Sequence, residues 1–392
     1  MNAKKMFLLF LTIVVVGVLL AFSTWHQWND NQKTTLERMR PIPPIAAFHH
    51  GAMIYDVEFS PSNQNVIASV GDDNNIKIWN KNNPSTPTKI LHDNEETLVS
   101  LDFLNNGKSL LCKGLHGKTI LCDTSLWEKI ILPQEQYRWD AAISPSADYL
   151  ANVYSQRLEL WDIRNPNQMT KTKVITEIHH TKYANSMRCA DFSPNGKWLA
   201  IGYGNGDIKF WDLEQKQFIK TLSVPHDSHE WLKDIIFSPD GRWIAATEHF
   251  SLILWDVQRN QRIKLLEDTH MGFHRDVKFS RDGRFIGIKS YGKKKGFTIW
   301  SLPGGQIFYD EVSDQYISDL TFSPDSKILA ISDIGEVTLL SIESLTPITI
   351  LKGEGFLGGA MELSFSPDGN TLAGGGFGGV LRLWDMRQLN GR

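Results

Sequence analysis

The sequence lacks the short motifs that usually carry enzymatic, metal or nucleotide chemistry. It has no His-x-Glu-x-x-His motif, no Gly-x-Ser-x-Gly nucleophile turn and no phosphate-binding loop. The glycine-rich run 374–379 lies between predicted strands and does not open a helix, so it is not a nucleotide fingerprint. The net charge is only −3, which argues against nucleic-acid binding. We therefore predict no catalytic residues, no metal site, no cofactor and no nucleic-acid partner.

Cysteine is also scarce, with three residues in the whole chain. Cys112 and Cys122 fall on predicted neighbouring strands of one repeat unit. In an oxidising compartment they could form a cross-strand disulfide if their Cα atoms lie within about 7 Å. The alternative is two buried thiols that fill small spaces in the core. Cys189 is predicted to be a buried strand residue.

What the chain does contain is an eightfold repeat with a period of about 44 residues. Each unit carries a Phe-Ser-Pro motif or a substitute, then a tight turn, then a Trp-Asp pair or its substitute. The clearest pairs are Trp161-Asp162, Trp211-Asp212, Trp255-Asp256 and Trp384-Asp385. The degenerate pairs are Trp79-Asn80, Cys122-Asp123, Trp300-Ser301 and Leu340-Ser341.

The unit at 237–256 indicates what each repeat builds. Pro239 and Gly241 favour a tight turn, because proline presets φ and glycine accepts positive φ. The flanking segments are short, apolar and β-branched or aromatic, which predicts strands. No stretch between them has room for an amphipathic helix, so we predict an all-β protein.

Over residues 44–386 the chain resembles the WD-repeat β-propeller family. The resemblance implies four-stranded blades around a central channel, and eight units predict an eight-bladed propeller. Too little chain follows Asp385 to form the last outer strand. We predict that residues 44–48 supply it from the other end of the chain, which closes the ring and protects a sheet edge. Seven blades with one stray repeat is the alternative.

The N-terminal region is predicted to engage a membrane. Residues 6–22 form an uncharged apolar run, and extending it to Trp25 makes it long enough for a bilayer core of about 30 Å. We favour a retained signal anchor, with a cleaved signal peptide as the alternative. The short basic N-terminus favours a propeller on the extracytoplasmic side. The predicted organisation is a membrane segment at 1–23, a spacer at 24–43 and a propeller at 44–392.

The family resemblance implies one complete structural tetrad in the first blade. In it a histidine bonds an aspartate in the neighbouring turn and is linked through a serine to the repeat tryptophan. The residues at these positions are His50, Ser69, Asp73 and Trp79.

An acidic residue stands three positions before the repeat Phe, or its substitute, in most units. This position begins the innermost strand, near the mouth of the channel. One interpretation is that each acid caps nearby backbone N–H groups. The other is a negative channel mouth that binds a cation or a small polar ligand. The acids are Asp56, Asp140, Asp234, Asp276, Asp319 and Glu362.

Aromatic and basic residues cluster in the loops that enter the first strand of each blade. The family resemblance implies that these loops open on one face, the top face, and such residue types are enriched at protein–protein hot spots. We therefore predict a membrane-tethered, monomeric interaction scaffold that binds a protein or peptide there. A ligand sensor that uses the acidic channel mouth is the second hypothesis, and an enzyme with acids on the propeller is the third. The predicted binding residues are Tyr55, Tyr137, Trp139, Arg188, Trp231, Lys233, Phe273, Arg275 and Tyr316.

Overall fold

The computed structural model describes residues 41–389, apart from 93–95, 105–106, 116–117, 133–139, 166–168, 177–185, 224–231, 248–250, 268–276, 291–295, 303, 305, 313–316, 334–335 and 353–359. Within that part of the chain, no helix is both long and apolar enough to cross a membrane. The predicted membrane segment at 1–23 falls outside the described residues, so the structure gives it no support.

The chain forms eight four-stranded antiparallel sheets, which confirms the predicted eight-bladed propeller. Blades 1 to 4 comprise β2 (Ile54–Phe59), β3 (Val66–Gly71), β4 (Asn75–Asn80) and β5 (Lys89–His92); β6 (Leu98–Leu104), β7 (Ser109–Gly114), β8 (Thr119–Asp123) and β9 (Glu128–Ile131); β10 (Asp140–Ile143), β11 (Tyr149–Val153), β12 (Arg157–Asp162) and β13 (Thr170–Thr176); and β14 (Met187–Phe192), β15 (Trp198–Tyr203), β16 (Ile208–Asp212) and β17 (Gln217–Leu222).

The second half of the ring repeats this pattern. Blades 5 to 8 comprise β18 (Asp234–Phe237), β19 (Trp243–Thr247), β20 (Ser251–Asp256) and β21 (Gln261–Glu267); β22 (Val277–Phe279), β23 (Phe285–Ser290), β24 (Gly296–Ser301) and β25 (Gln306–Val312); β26 (Asp319–Phe322), β27 (Ile328–Ser332), β28 (Glu336–Ser341) and β29 (Pro347–Lys352); and β30 (Ala360–Phe365), β31 (Thr371–Gly376) and β32 (Val380–Asp385), with β1 (Ala46–His49) as the fourth strand. A 3₁₀ helix follows at Met386–Leu389.

Ring closure occurs in the predicted manner. The outer strand of blade 8 is β1, paired antiparallel with β32 in the register Ala46↔Leu383 and His49↔Val380. The chain just before β1 is also fixed to the ring. The fully buried Ile42 forms a parallel bridge with Leu351 on the outer strand of blade 7. The segment that closes the ring therefore joins two blades.

In blades 3 to 8 the serine that follows the repeat Phe, or its substitute, organises the turn after the innermost strand. In blade 5 the Ser238 Oγ accepts the N–H of Trp243 at 2.9 Å, and Gly241 between them has φ +71°. The same bond recurs in blade 6 from Phe285 to Ser280, although that turn has Arg281 in place of proline. The repeat therefore depends on the serine hydroxyl more than on the proline.

The core lies between the blades. Each of the eight pairs of neighbouring blades shares its own cluster of buried apolar side chains. The Trp positions of the repeat enter these clusters, and their substitutes Cys122 and Leu340 are buried in the same way. A propeller packed at every interface presents its loops on a stiff frame.

The cysteines are buried free thiols, so no disulfide joins Cys112 to Cys122. Cys112 lies opposite Ile120, and Cys122 lies opposite Leu110, which offsets the two thiols by two positions along the strands. Burial raises the pKa of Cys122 to about 12.

Candidate functional site: the top face and the central channel

The linker between blades 8 and 1 is held by the four predicted tetrad residues, which are hydrogen-bonded to one another. His50 Nδ1 lies 2.9 Å from Ser69 Oγ, and its Nε2 lies 3.0 Å from Asp73 Oδ1. The indole N–H of Trp79 donates to Ser69 Oγ at 2.8 Å. Lys77 Nζ bonds both Asp73 and the His50 carbonyl. Burial lowers the pKa of His50, so the ring is neutral near pH 7.

Three of the predicted channel acids accept backbone N–H groups from the next blade. The Asp56 carboxylate accepts from its own neighbour Val57 at 2.7 Å and from Leu101 of blade 2 at 2.8 Å. Asp140 bonds Ala190 in the same way at 3.1 Å, and Asp319 bonds Leu363 at 2.8 Å. These bonds tie blade 1 to 2, blade 3 to 4 and blade 7 to 8.

A second layer of such bonds lies two residues further along the innermost strands. Glu58 accepts the N–H of Phe103 at 2.6 Å, and Asp191 accepts the N–H of Phe237 at 2.8 Å. Sequence reasoning missed these residues. The signal was present, because side chains two apart on a strand point to the same face and therefore line the same channel.

Several of the channel carboxylates have raised pKa values. Burial raises the pKa of Asp56 and of Asp191 to about 7, against the opposing hydrogen bonds from the next blade. Burial, followed by repulsion from Asp140 and Asp191, raises the pKa of Asp234 to about 7, although the residue keeps an exposed surface. Burial and then Asp319 raise the pKa of Glu362 well above its usual range.

Lysines partly offset this negative charge. Lys289 is buried, donates to the Ser318 carbonyl and lies 3.8 Å from Asp319 Oδ1. Lys278 projects from the innermost strand of blade 6, and its charge acts against the raised pKa of Glu58 and of Asp102. Across the described residues, no group of three His, Cys, Asp or Glu side chains is placed to hold a metal ion.

Of the predicted top-face binding residues, the structure describes three. The Tyr55 hydroxyl donates to Asp72 Oδ1 at 2.7 Å. Arg188 and Lys233 are half-buried on blades 4 and 5, and burial lowers the pKa of Arg188. Six predicted binding residues and one predicted acid lie outside the described part of the chain: Tyr137, Trp139, Trp231, Phe273, Arg275, Tyr316 and Asp276.

Two exposed apolar residues on the top face were not predicted. Phe377 and Leu115 are 50% and 61% exposed, and each lies in the turn between the second and third strands of its blade. The glycine-rich composition around Phe377 marked a turn, but it gave no reason to expect an exposed aromatic ring at its tip.

Comparison with known proteins agrees with this architecture. The family model "WD domain, G-beta repeat" matches residues 43–80 and 346–385. The model "Anaphase-promoting complex subunit 4 WD40 domain" matches 142–258. These matches support the WD40-repeat family. The WD40 repeats recognised in this way fall in blades 1, 3, 4, 5 and 8 and in the outer strand of blade 7.

Curated relatives that this chain resembles include the nuclear distribution protein nudF of Aspergillus niger, 22% identical over 57% of this chain and 54% of the relative. The nuclear distribution protein PAC1 of Arthroderma benhamiae is 24% identical over the same shares. The small ribosomal subunit protein RACK1 of Neurospora crassa is 22% identical over 41% of this chain and 42% of the relative. The chain therefore spans about half the length of these curated relatives.

Proposed function

We propose that the protein is a membrane-tethered interaction scaffold whose propeller binds a protein or peptide on its top face, without chemistry of its own. The WD-repeat relatives favour a protein-interaction scaffold over an enzyme. The observation that carries the choice of face is Phe377 on a top-face turn, the one aromatic among the exposed large apolar residues of the described chain. Leu115 is exposed on the same face, while Leu126 and Ile45 are exposed aliphatic residues at the bottom face. Aromatic side chains are enriched at protein–protein interfaces, and loops on a rigid frame commonly carry binding residues.

A partner-recovery experiment tests the choice of face. The full-length protein is compared with a triple variant, Trp139→Ala, Trp231→Ala and Arg275→Ala, because truncating hot-spot aromatics and arginine commonly costs more than 1 kcal/mol each. We expect the triple variant to lose the partner. A bottom-face control, Arg164→Ala with Arg387→Ala, removes two exposed arginines and should retain it. Equal recovery by wild type and the triple variant would reject the top-face assignment.

The tether is the second part of the proposal, with residues 6–25 in the membrane and a monomeric propeller on the extracytoplasmic side. Its support is the uncharged apolar run in the sequence together with the direction of β1. That strand runs from the face of the Ser-Pro turns, the bottom face, towards the top, because Ala46 pairs with Leu383 and His49 with Val380. The chain before β1 thus approaches from the bottom face.

Labelling of single cysteines tests this orientation. Asn195→Cys is exposed on the bottom face and Gln156→Cys is exposed on the top face. The three native thiols are buried and give a low background. We expect an impermeant, membrane-tethered thiol reagent added outside the cell to modify position 195 faster than position 156. Faster modification of position 156, or none at either site, contradicts the proposed arrangement.

The ligand-sensor hypothesis receives less support from the channel acids. It requires solvated carboxylates that converge on a pocket. Asp56, Asp140 and Asp319 instead use their oxygens to hold backbone N–H groups of the next blade. Blade-to-blade attachment accounts for these three acids, while the exposed Asp234 accepts the N–H of its own neighbour Ile235.

A further inference from the structure

The glycine-rich turn of blade 8 lies directly against the linker that enters blade 1. A Cβ on Gly375 would come within 2.7 Å of the Ile54 side chain. A Cβ on Gly379, where φ is +63°, would lie 2.8 Å from the Ala52 carbonyl oxygen. Packing therefore explains these two glycines. It does not explain Phe377 at the tip, which is 50% exposed.

The linker is fixed from both sides. On one side the N–H of His50 donates to the Gly379 carbonyl at 2.8 Å. On the other side the N–H of Asp72 donates to the Met53 carbonyl at 3.0 Å. The turn that carries Phe377 and the turn that carries Asp72 thus flank one short linker on the top face. The tetrad beneath, anchored through His50, holds the linker in place.

This platform keeps one carboxylate that is not paired with the nearby Lys77. Residues 49–55, 71–75 and 376–380 include two carboxylates and no lysine or arginine. Asp73 is engaged by His50 and Lys77. Asp72 is exposed, and the Tyr55 hydroxyl bonds one of its oxygens. An exposed aromatic ring on one side of the linker and an oriented, exposed carboxylate on the other match a cation carried next to an apolar group.

We propose that Phe377, Tyr55 and Asp72 form a docking site for a protein segment that presents a lysine or arginine beside a large apolar side chain. The apolar side chain packs on Phe377. The cation pairs with Asp72 and lies against the Tyr55 ring. This proposal rests on the top-face function proposed above and specifies the chemistry of the partner.

Selection of short random peptides displayed on phage tests the site, with the immobilised full-length protein as bait. We expect the selected peptides to place Lys or Arg next to a large apolar residue. Their affinity should fall about tenfold on Phe377→Ala and on Asp72→Asn, as for a hot-spot residue, and should weaken with added salt. Both changes are at exposed positions, and thermal unfolding checks that each variant is folded.

The control is Leu126→Ala, which removes a 66% exposed side chain from a turn on the opposite face and should leave affinity unchanged. Selected peptides that lack basic residues, or that bind Phe377→Ala and Asp72→Asn as well as wild type, overturn the site. If those peptides instead lose binding on Lys233→Ala, the result supports binding on the top face but contradicts the site at Phe377 and Asp72. No selection above background, or binding unaffected by every top-face change, counts against both.

Discussion

Replacing Phe48 with alanine is expected to lower the free energy of unfolding by about 3–5 kcal/mol. Phe48 is fully buried on the strand that closes the ring. Its ring packs edge-on against Trp79 of blade 1, with 5.4 Å between centroids, and it belongs to a cluster that includes Leu381 and Val57. Truncation leaves a cavity where blades 8 and 1 meet. The shift of the guanidinium unfolding midpoint measures the loss.

Ile45→Ala provides the matched control, since Ile45 lies just before the same strand but is 54% exposed. Its substitution should change stability by no more than about 0.5 kcal/mol. If Phe48→Ala were as stable as Ile45→Ala, β1 would not be closing the ring in the way that its register implies.

Mild acidification is expected to stabilise the propeller, with a melting temperature on the order of 5 °C higher at pH 6 than at pH 8. Asp56 and Asp191 have a pKa of about 7 in the folded protein, against an ordinary value of 3.8. Between these values the folded chain binds more protons than the unfolded chain, so stability falls as pH rises towards 7. Below about pH 6.5 His50 has the opposite effect and reduces the gain in stability on acidification, because folding lowers its pKa. Differential scanning calorimetry across this range provides the measurement.

Asp234→Asn isolates the charge repulsion in the channel. The amide keeps an oxygen for the Ile235 N–H, which Asp234 Oδ1 now accepts at 2.8 Å, while the repulsion with Asp140 and Asp191 is removed. We expect a higher melting temperature than wild type at pH 8 and a smaller difference between pH 8 and pH 6. Glu128→Gln, at an exposed position on an outer strand, should change neither quantity. An equal or higher wild-type melting temperature at pH 8 would contradict this account of the channel.

The repeat predicted the blades because each unit carries its own turn and strand signals. Pro239 and Gly241 fix one turn by local backbone preference, and such preferences are readable from a single sequence. The closing strand was also predictable, because the last unit lacked a fourth strand and residues 44–48 could supply it. The observed strand, Ala46–His49, begins two residues later.

Contacts between distant parts of the chain were less predictable. The bridge from Ile42 to Leu351 has no local signal, because an apolar residue between prolines fits a spacer equally well. The sequence is compatible with two roles for Asp56, since its partner Leu101 belongs to another repeat. The exposure of Phe377 has no signal in the sequence, because turn composition predicts backbone shape and not which side chain remains exposed.

The pairing of β1 with β32 also sets the order in which the protein can mature. The ribosome makes Ala46 early, but its partner Leu383 follows only near the other end of the described chain. At about 5–20 residues per second, that interval is on the order of tens of seconds. During this time Ile42 lacks its partner Leu351 on blade 7, and Phe48 lacks its blade 8 partner Leu381. The ring can close only after the eighth blade has been translated. A chaperone that shields residues 42–49 would have the whole of this interval in which to bind.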